Sequence, residues 1–376
     1  MTDHPPPASA VATARTPGYD VARALAILGM VLVNYKLRTD AEERATGWPL
    51  WFANLLDGRA AALFVVLAGL GIALRSRRAR EDPDEHLAFE RSALMKRAAV
   101  LFAAGLLNLH LWEWDILHCY GLYLLAAAWL LTAPGWLLGV LAVACTVVAQ
   151  WLQVSFDYDA DFDVWSLEGM FLDLSYKGVH PFFPWMSFLL VGMLLGRVDL
   201  KSQRPRRWLL AIALVVATLG ETVDTVVGRA WVWLELDDAT AAMLSTWPKP
   251  PQALYVVTAT AVAVAVICLC VAITEPRPRS RWVVALTATG QLAFTLYIAH
   301  TIAIEVPLSH GLMEEATIGE TALYALTFYG VAVAASVWWR RRFRYGPLEG
   351  FIRQVTERSG PAPWGGELAG DPPRRD

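Results

Sequence analysis

The chain has 376 residues, of which 56% are hydrophobic, and it carries 17 tryptophans and a formal net charge of −3. Soluble domains are usually about 45–50% apolar, so this composition excludes an ordinary soluble globular protein. All four cysteines fall inside apolar runs, and no CxxC pair occurs, which argues against a disulfide framework and against a cysteine-based metal site.

Ten apolar runs follow one another along the chain, each with roughly the 20 residues that cross a bilayer as a helix. Their lengths and spacing predict an all-α, polytopic integral membrane bundle of about ten transmembrane helices. The runs cover residues 20–37, 57–75, 94–112, 115–132, 134–153, 181–197, 207–227, 251–274, 282–305 and 319–340.

Basic residues are concentrated in alternate loops, after the second, sixth, eighth and tenth runs. The positive-inside rule places these loops and both termini in the cytoplasm, which agrees with an even number of spans. We therefore expect an integral membrane protein with both ends in the cytoplasm. Its basic loops would face anionic lipid, so no nucleic-acid partner is expected. The basic residues include Arg75, Arg77, Arg78, Arg80, Arg197, Lys201, Arg204, Arg277, Arg279, Arg281, Arg340, Arg341, Arg342 and Arg344.

A single membrane domain accounts for residues 19–353. The flanking segments, 1–18 and 354–376, are rich in proline, alanine or glycine and contain no long apolar run. This composition predicts two disordered tails.

Titratable side chains are concentrated in "HLWEWDILHCY", residues 110–120, at the predicted outer end of the third and fourth spans. Asp115 and His118 are three residues apart on the first turn of the fourth span, so they share a helix face. The carboxylate could fix the tautomer of His118 and raise its basicity. His110 lies across the predicted turn, so the three side chains could converge on one pocket. Alternatively, Asp115 caps the helix and the histidines lie at the lipid–water boundary. A metal site including Glu113 matches no standard spacing, so no metal is expected.

Further polar residues lie within or beside the other predicted spans. Asp20 and Arg23 are three residues apart at the cytoplasmic start of the first span, while Asn34 and Tyr35 lie at its outer end. These last two are predicted to lie level with the residue 110–120 cluster. His180 precedes the sixth span and His300 lies deep in the ninth, where an ionisable residue is a functional candidate or a polar group satisfied by a neighbouring helix.

Several segments occur in an order that resembles a known superfamily. They are "YDVARALAILGMVLVNY", "DGRAAALFVVLAGLGIAL", "WDILHCYGLYL", "FFPWMSFLLVGMLLGRVDL", "TGQLAFTLYIAHT" and "YGPLEGFIR", within residues 18–353. Together they resemble the transmembrane acyltransferases, which include heparan-α-glucosaminide N-acetyltransferase-like proteins and YeiB-like bacterial membrane proteins. The resemblance implies a protein integral to the plasma (inner) membrane of a bacterium.

The resemblance implies transfer of an acyl group, usually acetyl from cytoplasmic acetyl-CoA, to an acceptor beyond the membrane. The heparan-type enzymes have a catalytic histidine in the first outer loop, but residues 38–56 contain none. The general base would therefore be His118 or His110, oriented by Asp115, and an acyl-histidine intermediate is equally compatible.

The remaining candidate residues are assigned from their predicted depth in the membrane. Asn34, Tyr35, His180 and His300 are predicted to bind the acceptor, which would be a sugar, lipid or other small molecule. The predicted residues for acyl-CoA are Arg23, Lys96 and Arg97, because CoA phosphates require basic groups on the cytoplasmic side, together with Asp20, the expected salt-bridge partner of Arg23. A homodimer is one of the assemblies that the sequence allows.

A different class of function also fits the same residues. A non-enzymatic carrier or exporter of a small amphiphile would use the same cavity, with the histidines as a proton relay. The sequence lacks paired interrupted spans and internal repeats, which disfavours a transporter built from inverted repeats.

Overall fold

The computed structural model describes residues 16–156, 158, 161–230 and 238–357, and it contains helices and no strands in this part of the chain. The predicted all-α fold is therefore confirmed. The helices are α1 (Pro17–Arg38), α2 (Trp48–Asn54), α3 (Arg59–Arg75), α4 (Arg77–Glu81), α5 (Pro83–Asn108), α6 (Leu117–Ala127), α7 (Gly135–Ser155), α8 (Leu167–Leu172), α9 (Phe182–Leu195), α10 (Gln203–Ala230), α11 (Asp238–Met243), α12 (Ala253–Thr274), α13 (Arg281–Gln291), α14 (Ala293–Ser309), α15 (Ile318–Arg340) and α16 (Pro347–Glu357). A π-helical turn, Asp173–Lys177, follows α8.

Every predicted apolar run overlaps at least one helix of the structure. Four helices are long and apolar enough to cross a membrane, and the number rises to six if each of two bent helix pairs forms one span. These apolar helices indicate an integral membrane protein. The number of ten spans and the cytoplasmic position of the termini stay predictions.

The centre of the bundle is α3, which packs against α1, α9 and α12. Glycines permit the close approach of α3 and α9, because a Cβ atom on Gly192 would lie 2.9 Å from the carbonyl carbon of Val66. Apolar side chains on α7, α10 and α15 are mostly exposed at the periphery. Long helices with exposed apolar faces are typical of segments covered by lipid.

The predicted ninth span, 282–305, is not one continuous helix. It divides at Leu292 into α13 and α14, whose axes differ by 77°. Gly290 packs against the backbone of α1, since a Cβ there would lie 2.8 Å from the carbonyl carbon of Asp20. The Nη1 atom of Arg23 also donates to the Gly290 carbonyl at 3.3 Å. These contacts hold the end of α13 against α1 and turn the chain.

The hairpin formed by the third and fourth predicted spans also differs from expectation. α5 ends at Asn108 and α6 begins at Leu117, so the connection is longer than the predicted 112–115. Asp115 lies just before α6, and its carboxylate accepts a hydrogen bond from the backbone N–H of Leu117 at 2.7 Å. The N-cap residue is Ile116 and not Asp115 as expected, but Asp115, one residue earlier, still accepts from the first N–H groups of the helix.

The ends of the described chain lie close to the predicted domain limits. α1 begins at Pro17 and α16 ends at Glu357, inside the segments predicted as tails. The rest of those segments, 1–15 and 358–376, lies outside the described residues.

Candidate active site

A buried carboxylate, Asp115, lies at the junction of α5, α6 and α14. Its Oδ1 atom accepts from the side-chain amide of Asn108 at 2.8 Å and from the Tyr297 hydroxyl at 3.0 Å. Its Oδ2 atom accepts from the backbone of Leu117 and faces Nδ1 of His118 at 3.4 Å. Several donors therefore fix this carboxylate beside the imidazole, as the spacing of Asp115 and His118 suggested.

His118 lies between two carboxylates. Its second ring nitrogen, Nε2, is 2.7 Å from Oδ2 of Asp173 and 3.3 Å from the thiol sulfur of Cys119. The imidazole is almost fully buried, whereas Asp173 is partly exposed. Such a histidine is well placed to exchange protons with either carboxylate.

Sequence reasoning missed Asp173. It lies 55 residues after His118, at the start of the π-helical turn that separates α8 from the bend before α9. Single π-helical turns are rare and often occur at functional sites, but no local sequence pattern predicts one. The only available signal was the acidic segment that ends at this residue.

A second group of predicted residues meets beside this cluster. The side-chain amide of Asn34 lies 2.8 Å from Nε2 of His300, and the Tyr35 hydroxyl donates to the His300 carbonyl at 3.2 Å. Nδ1 of His300 faces the carbonyl of Tyr297. Tyr297 therefore joins the Asn34–Tyr35–His300 group to Asp115.

The other two predicted histidines lie apart from Asp115. His110 is exposed, and its ring stacks on Trp165 with 4.4 Å between ring centroids. No hydrogen bond joins it to Asp115 or His118 in the described chain. His180 is half-buried before α9, and its carbonyl accepts from the Tyr123 hydroxyl. His118 is thus the better placed of the two candidate bases.

A cavity of about 360 Å³ lies between α3, α5, α6, α14 and α16. Its lining includes the arginines Arg23, Arg75, Arg97 and Arg353. Arg75 is paired with Glu90, whereas Arg97 has no hydrogen-bond or ion-pair partner among the described residues. Of the residues predicted to bind CoA, Arg23 and Arg97 line the cavity, while Asp20 and Lys96 do not.

The cavity follows the long direction of the bundle. On α3 it extends from Phe64 to Arg75, and on α5 from Leu101 back to Glu90. Eleven residues of helix correspond to about 16 Å. Arg75 lies where α3 finishes, which we call the basic end, and Arg97 lies on α5 between Glu90 and Leu101. The opposite end is lined by Ile116, Leu117 and Tyr297.

Tyr297 connects the cavity to the buried cluster. Its side chain lines the cavity, and its hydroxyl donates to Asp115 while accepting from the backbone N–H of Ile116 at 3.3 Å. A ligand that fills the cavity would therefore be separated from Asp115 only by the side chain of Tyr297.

Among the residues that the structure describes, one cluster could hold a metal ion. His118, Cys119 and Asp173 each offer a ligand atom, and the three atoms lie within 4.8 Å of one another. A nitrogen, sulfur and oxygen set of this kind suits Zn²⁺. Nε2 of His118 also contacts both Asp173 and the Cys119 thiol directly. The expectation that the site holds no metal stays a prediction.

The catalytic-domain model of heparan-alpha-glucosaminide N-acetyltransferase matches residues 15–222, more than half of the chain. The chain belongs to this N-acetyltransferase family. A model for a protein family of unknown function, DUF418, matches residues 195–359. No curated protein matches the sequence significantly. The two matches confirm the resemblance to the transmembrane acyltransferase superfamily.

The family match supports a membrane acetyltransferase-like activity. The buried cluster of this N-acetyltransferase family member contains residues from both of the regions that the two family models match. Asp115, His118 and Asp173 lie in the first region, whereas Tyr297 and His300 lie in the second. The hydrogen bond from Tyr297 to Asp115 therefore joins the two regions at the cavity wall.

Proposed function

We propose that the chain is an acyltransferase of the bacterial plasma membrane. It moves an acyl group, most simply acetyl, from cytoplasmic acyl-CoA to a hydroxyl or amine of an acceptor at the outer face. The observation that carries this proposal is the cavity. Four arginines line it, and at the end opposite Arg75 it reaches Tyr297, which donates to the buried Asp115.

The two ends of the cavity match the two ends of acyl-CoA. Arginine binds phosphate through charge-assisted, often bidentate hydrogen bonds, so Arg97 and its neighbours would bind the nucleotide phosphates. The apolar wall, including Phe64, Leu67 and Leu101, suits the pantetheine arm. The thioester would then lie near Tyr297.

The acceptor would approach from the opposite end of the bundle. Asn34 and His300 lie beside Tyr297 and would position it by hydrogen bonding. His118 would act as the general base, with Asp115 fixing its orientation. Asp173 contacts the Nε2 atom of His118, so the acceptor would share or replace this contact as it binds.

The test uses purified protein in nanodiscs with radiolabelled acetyl-CoA and a mixture of cell-envelope glycans and lipids. We expect CoA binding and acetyl transfer. Absence of both would overturn the proposal, and uptake driven by a proton gradient in proteoliposomes without acetyl transfer would identify a carrier instead.

Arg97→Ala tests the location of the donor. Loss of a charge-assisted phosphate contact should raise KM for acetyl-CoA roughly tenfold or more. KM for acetyl-pantetheine, which lacks the phosphates of CoA, should change little. Arg207→Ala removes an exposed arginine that does not line the cavity, and it serves as the matched control. An equal effect of Arg97→Ala on both donors would contradict the assignment.

A further inference from the structure

The imidazole of His118 is the centre of a group of possible metal ligands. Its Nε2 atom lies 2.7 Å from Oδ2 of Asp173 and 3.3 Å from the sulfur of Cys119. The three ligand atoms lie within 4.8 Å of one another, and no other group of histidine, cysteine and acidic side chains in the described chain converges in this way. Nitrogen, sulfur and oxygen ligands together favour Zn²⁺ over Mg²⁺ and Ca²⁺, which prefer oxygen alone.

The distances between these atoms fit a bound ion after a small adjustment. Bonds of about 2.0–2.3 Å keep the ligand atoms of a tetrahedral Zn²⁺ about 3.3–3.6 Å apart. The nitrogen of His118 and the sulfur of Cys119 already have this separation. The Asp173 oxygen would move from 2.7 Å to about 3.3 Å from Nε2. Asp173 begins the π-helical turn and its side chain is partly exposed, so it has room to withdraw.

Asp115 orients His118 as the ligand of a metal ion would be oriented. Histidine ligands commonly donate their other ring N–H to a carboxylate, which fixes the ring and leaves one nitrogen for the ion. Oδ2 of Asp115 faces Nδ1 of His118 at 3.4 Å, and Asn108 and Tyr297 hold this carboxylate in place. Nε2 is therefore the nitrogen that is left for an ion.

The balance of charge also permits an ion in this buried cluster. Cys119 and His118 are 1% and 2% exposed, so a change in the net charge of the cluster would be costly. Zn²⁺ would replace two protons, the one on the Cys119 thiol and the one shared between Nε2 and Asp173. Two positive charges arrive and two are released to solvent, so the net charge stays the same. The ion would enter past Asp173, whose side chain is 14% exposed.

We propose that His118, Cys119 and Asp173 bind Zn²⁺ and that the bound ion inhibits acyl transfer. Water would take the fourth position of the tetrahedral ion. The ion occupies the Nε2 lone pair, which the general base needs in order to take a proton from the acceptor. The inhibitory role rests on the proposed acyltransferase function, whereas the binding site stands on the geometry alone. The active enzyme is then the metal-free one.

Metal binding is tested independently of activity, with untagged, chelator-treated full-length protein in nanodiscs. Co²⁺ serves as an optical probe for Zn²⁺, because a cobalt–thiolate bond gives a charge-transfer band in the near ultraviolet. We expect the protein to bind one Co²⁺ per chain with this band, and Zn²⁺ to abolish the band by displacing Co²⁺. Absence of the band would overturn the site and leave the acyltransferase proposal standing.

Three variants locate the ion. Cys119→Ser should abolish the band, and Asp173→Asn should weaken the affinity for both ions by more than the about 10–100-fold that loss of a residue orienting a ligand costs. Cys145→Ser, at a cysteine of α7 outside the cluster, is the matched control and should bind like the wild type. Thermal unfolding of each variant in the same nanodiscs checks the fold. A band that persists in Cys119→Ser, or wild-type affinity in Asp173→Asn, would refute the assignment.

Inhibition is measured as acetyl transfer in the same nanodiscs. Saturating Zn²⁺ should lower wild-type turnover at least about tenfold, and a chelator should restore it. In Cys119→Ser, the Zn²⁺ concentration that halves the variant's own metal-free turnover should rise at least about tenfold. Turnover that Zn²⁺ leaves unchanged, or that a chelator abolishes, would overturn the inhibitory role. If the metal-free protein has no turnover with any envelope acceptor, the acyltransferase proposal and the inhibitory role both fail, and the cobalt spectrum still decides the site.

Discussion

At the scale of single residues, Asp115 is the most constrained polar group of the candidate site. Both oxygens accept hydrogen bonds, from Asn108 and Tyr297 on one side and from the Leu117 backbone on the other. A carboxylate can accept on both oxygens, and no other side chain of similar size does this. Asp115 thus accepts a hydrogen bond from the N-terminus of α6 and also orients His118.

Asp115→Asn should separate these two roles. The NH₂ group of the new side chain would face one of the donors from which Asp115 now accepts. This unpaired contact should lower the free energy of unfolding by about 1–3 kcal/mol. His118 would lose the carboxylate that faces its Nδ1 atom and keep only Asp173, so we expect turnover to fall by about 10²–10⁴. Glu113→Gln, at an exposed acid two residues earlier, is the control for both measurements. A variant with wild-type turnover would exclude Asp115 from the mechanism.

Gly105 sets the distance between α5 and α6 at the same site. A Cβ there would lie 2.7 Å from the Cα of His118 and equally close to the carbonyl carbon of Leu117. Gly105→Ala should push α6 away, destabilise the protein by about 1–3 kcal/mol and reduce turnover. Gly139→Ala on α7, where a Cβ meets nothing within 4 Å, should leave the melting temperature in detergent nearly unchanged. Equal melting temperatures for the two variants would contradict the tight contact.

At the scale of elements, the bend between α13 and α14 exposes a helix N-terminus inside the bundle. Glu349 of α16 accepts from the backbone N–H groups of Phe294 and Thr295 at 2.8 and 3.0 Å. Its second oxygen accepts from the Thr295 hydroxyl at 2.7 Å. A residue of α16 therefore satisfies donors that a continuous helix would have satisfied itself.

Glu349→Ala should destabilise this bend. Loss of an N-terminal cap costs about 0.5–2 kcal/mol, so we expect a lower melting temperature in detergent. Glu314→Ala removes an exposed acid without a hydrogen-bond partner among the described residues and should have no such effect. If both variants melt like the wild type, the capping contact does not stabilise the fold.

The bend also shows what the sequence could predict and what it could not. Hydropathy located a helix in each apolar run, because burial in lipid requires an uninterrupted apolar stretch. It could not locate the break at Leu292, because one apolar run covers both halves and the break depends on contacts with Asp20 and Arg23. The spacing of Asp115 and His118 predicted the pair correctly, although Asp115 reaches His118 from just before the first turn of α6 and not from within it.

Contacts between segments far apart in the chain could not be predicted from the sequence. Asp173 reaches His118 only because a π-helical turn and a 49° bend redirect the chain before α9. His300 meets Asn34 across 266 positions of sequence. Shared depth suggested that Asn34 and the residue 110–120 cluster lie level, but it could not show that Tyr297 connects them.

At the scale of the whole molecule, the predicted topology can be tested with epitope tags. Tags at both termini should react with antibody only after spheroplasts are permeabilised. A tag inserted after Gly311, which lies in the exposed connection between α14 and α15, should react in intact spheroplasts. The reverse pattern, or termini on opposite sides, would contradict the even number of spans and the positive-inside assignment.

The arginines of the cavity have a consequence for the order of events in each turnover. In the proposed complex they hold phosphates that stay the same while the thioester reacts, so they bind free CoA as strongly as acyl-CoA. Contacts that do not change during the reaction lower KM without raising kcat. Departure of spent CoA from the cavity would then limit the cycle, and the cytoplasmic ratio of acyl-CoA to CoA would govern the enzyme more than the concentration of acyl-CoA alone.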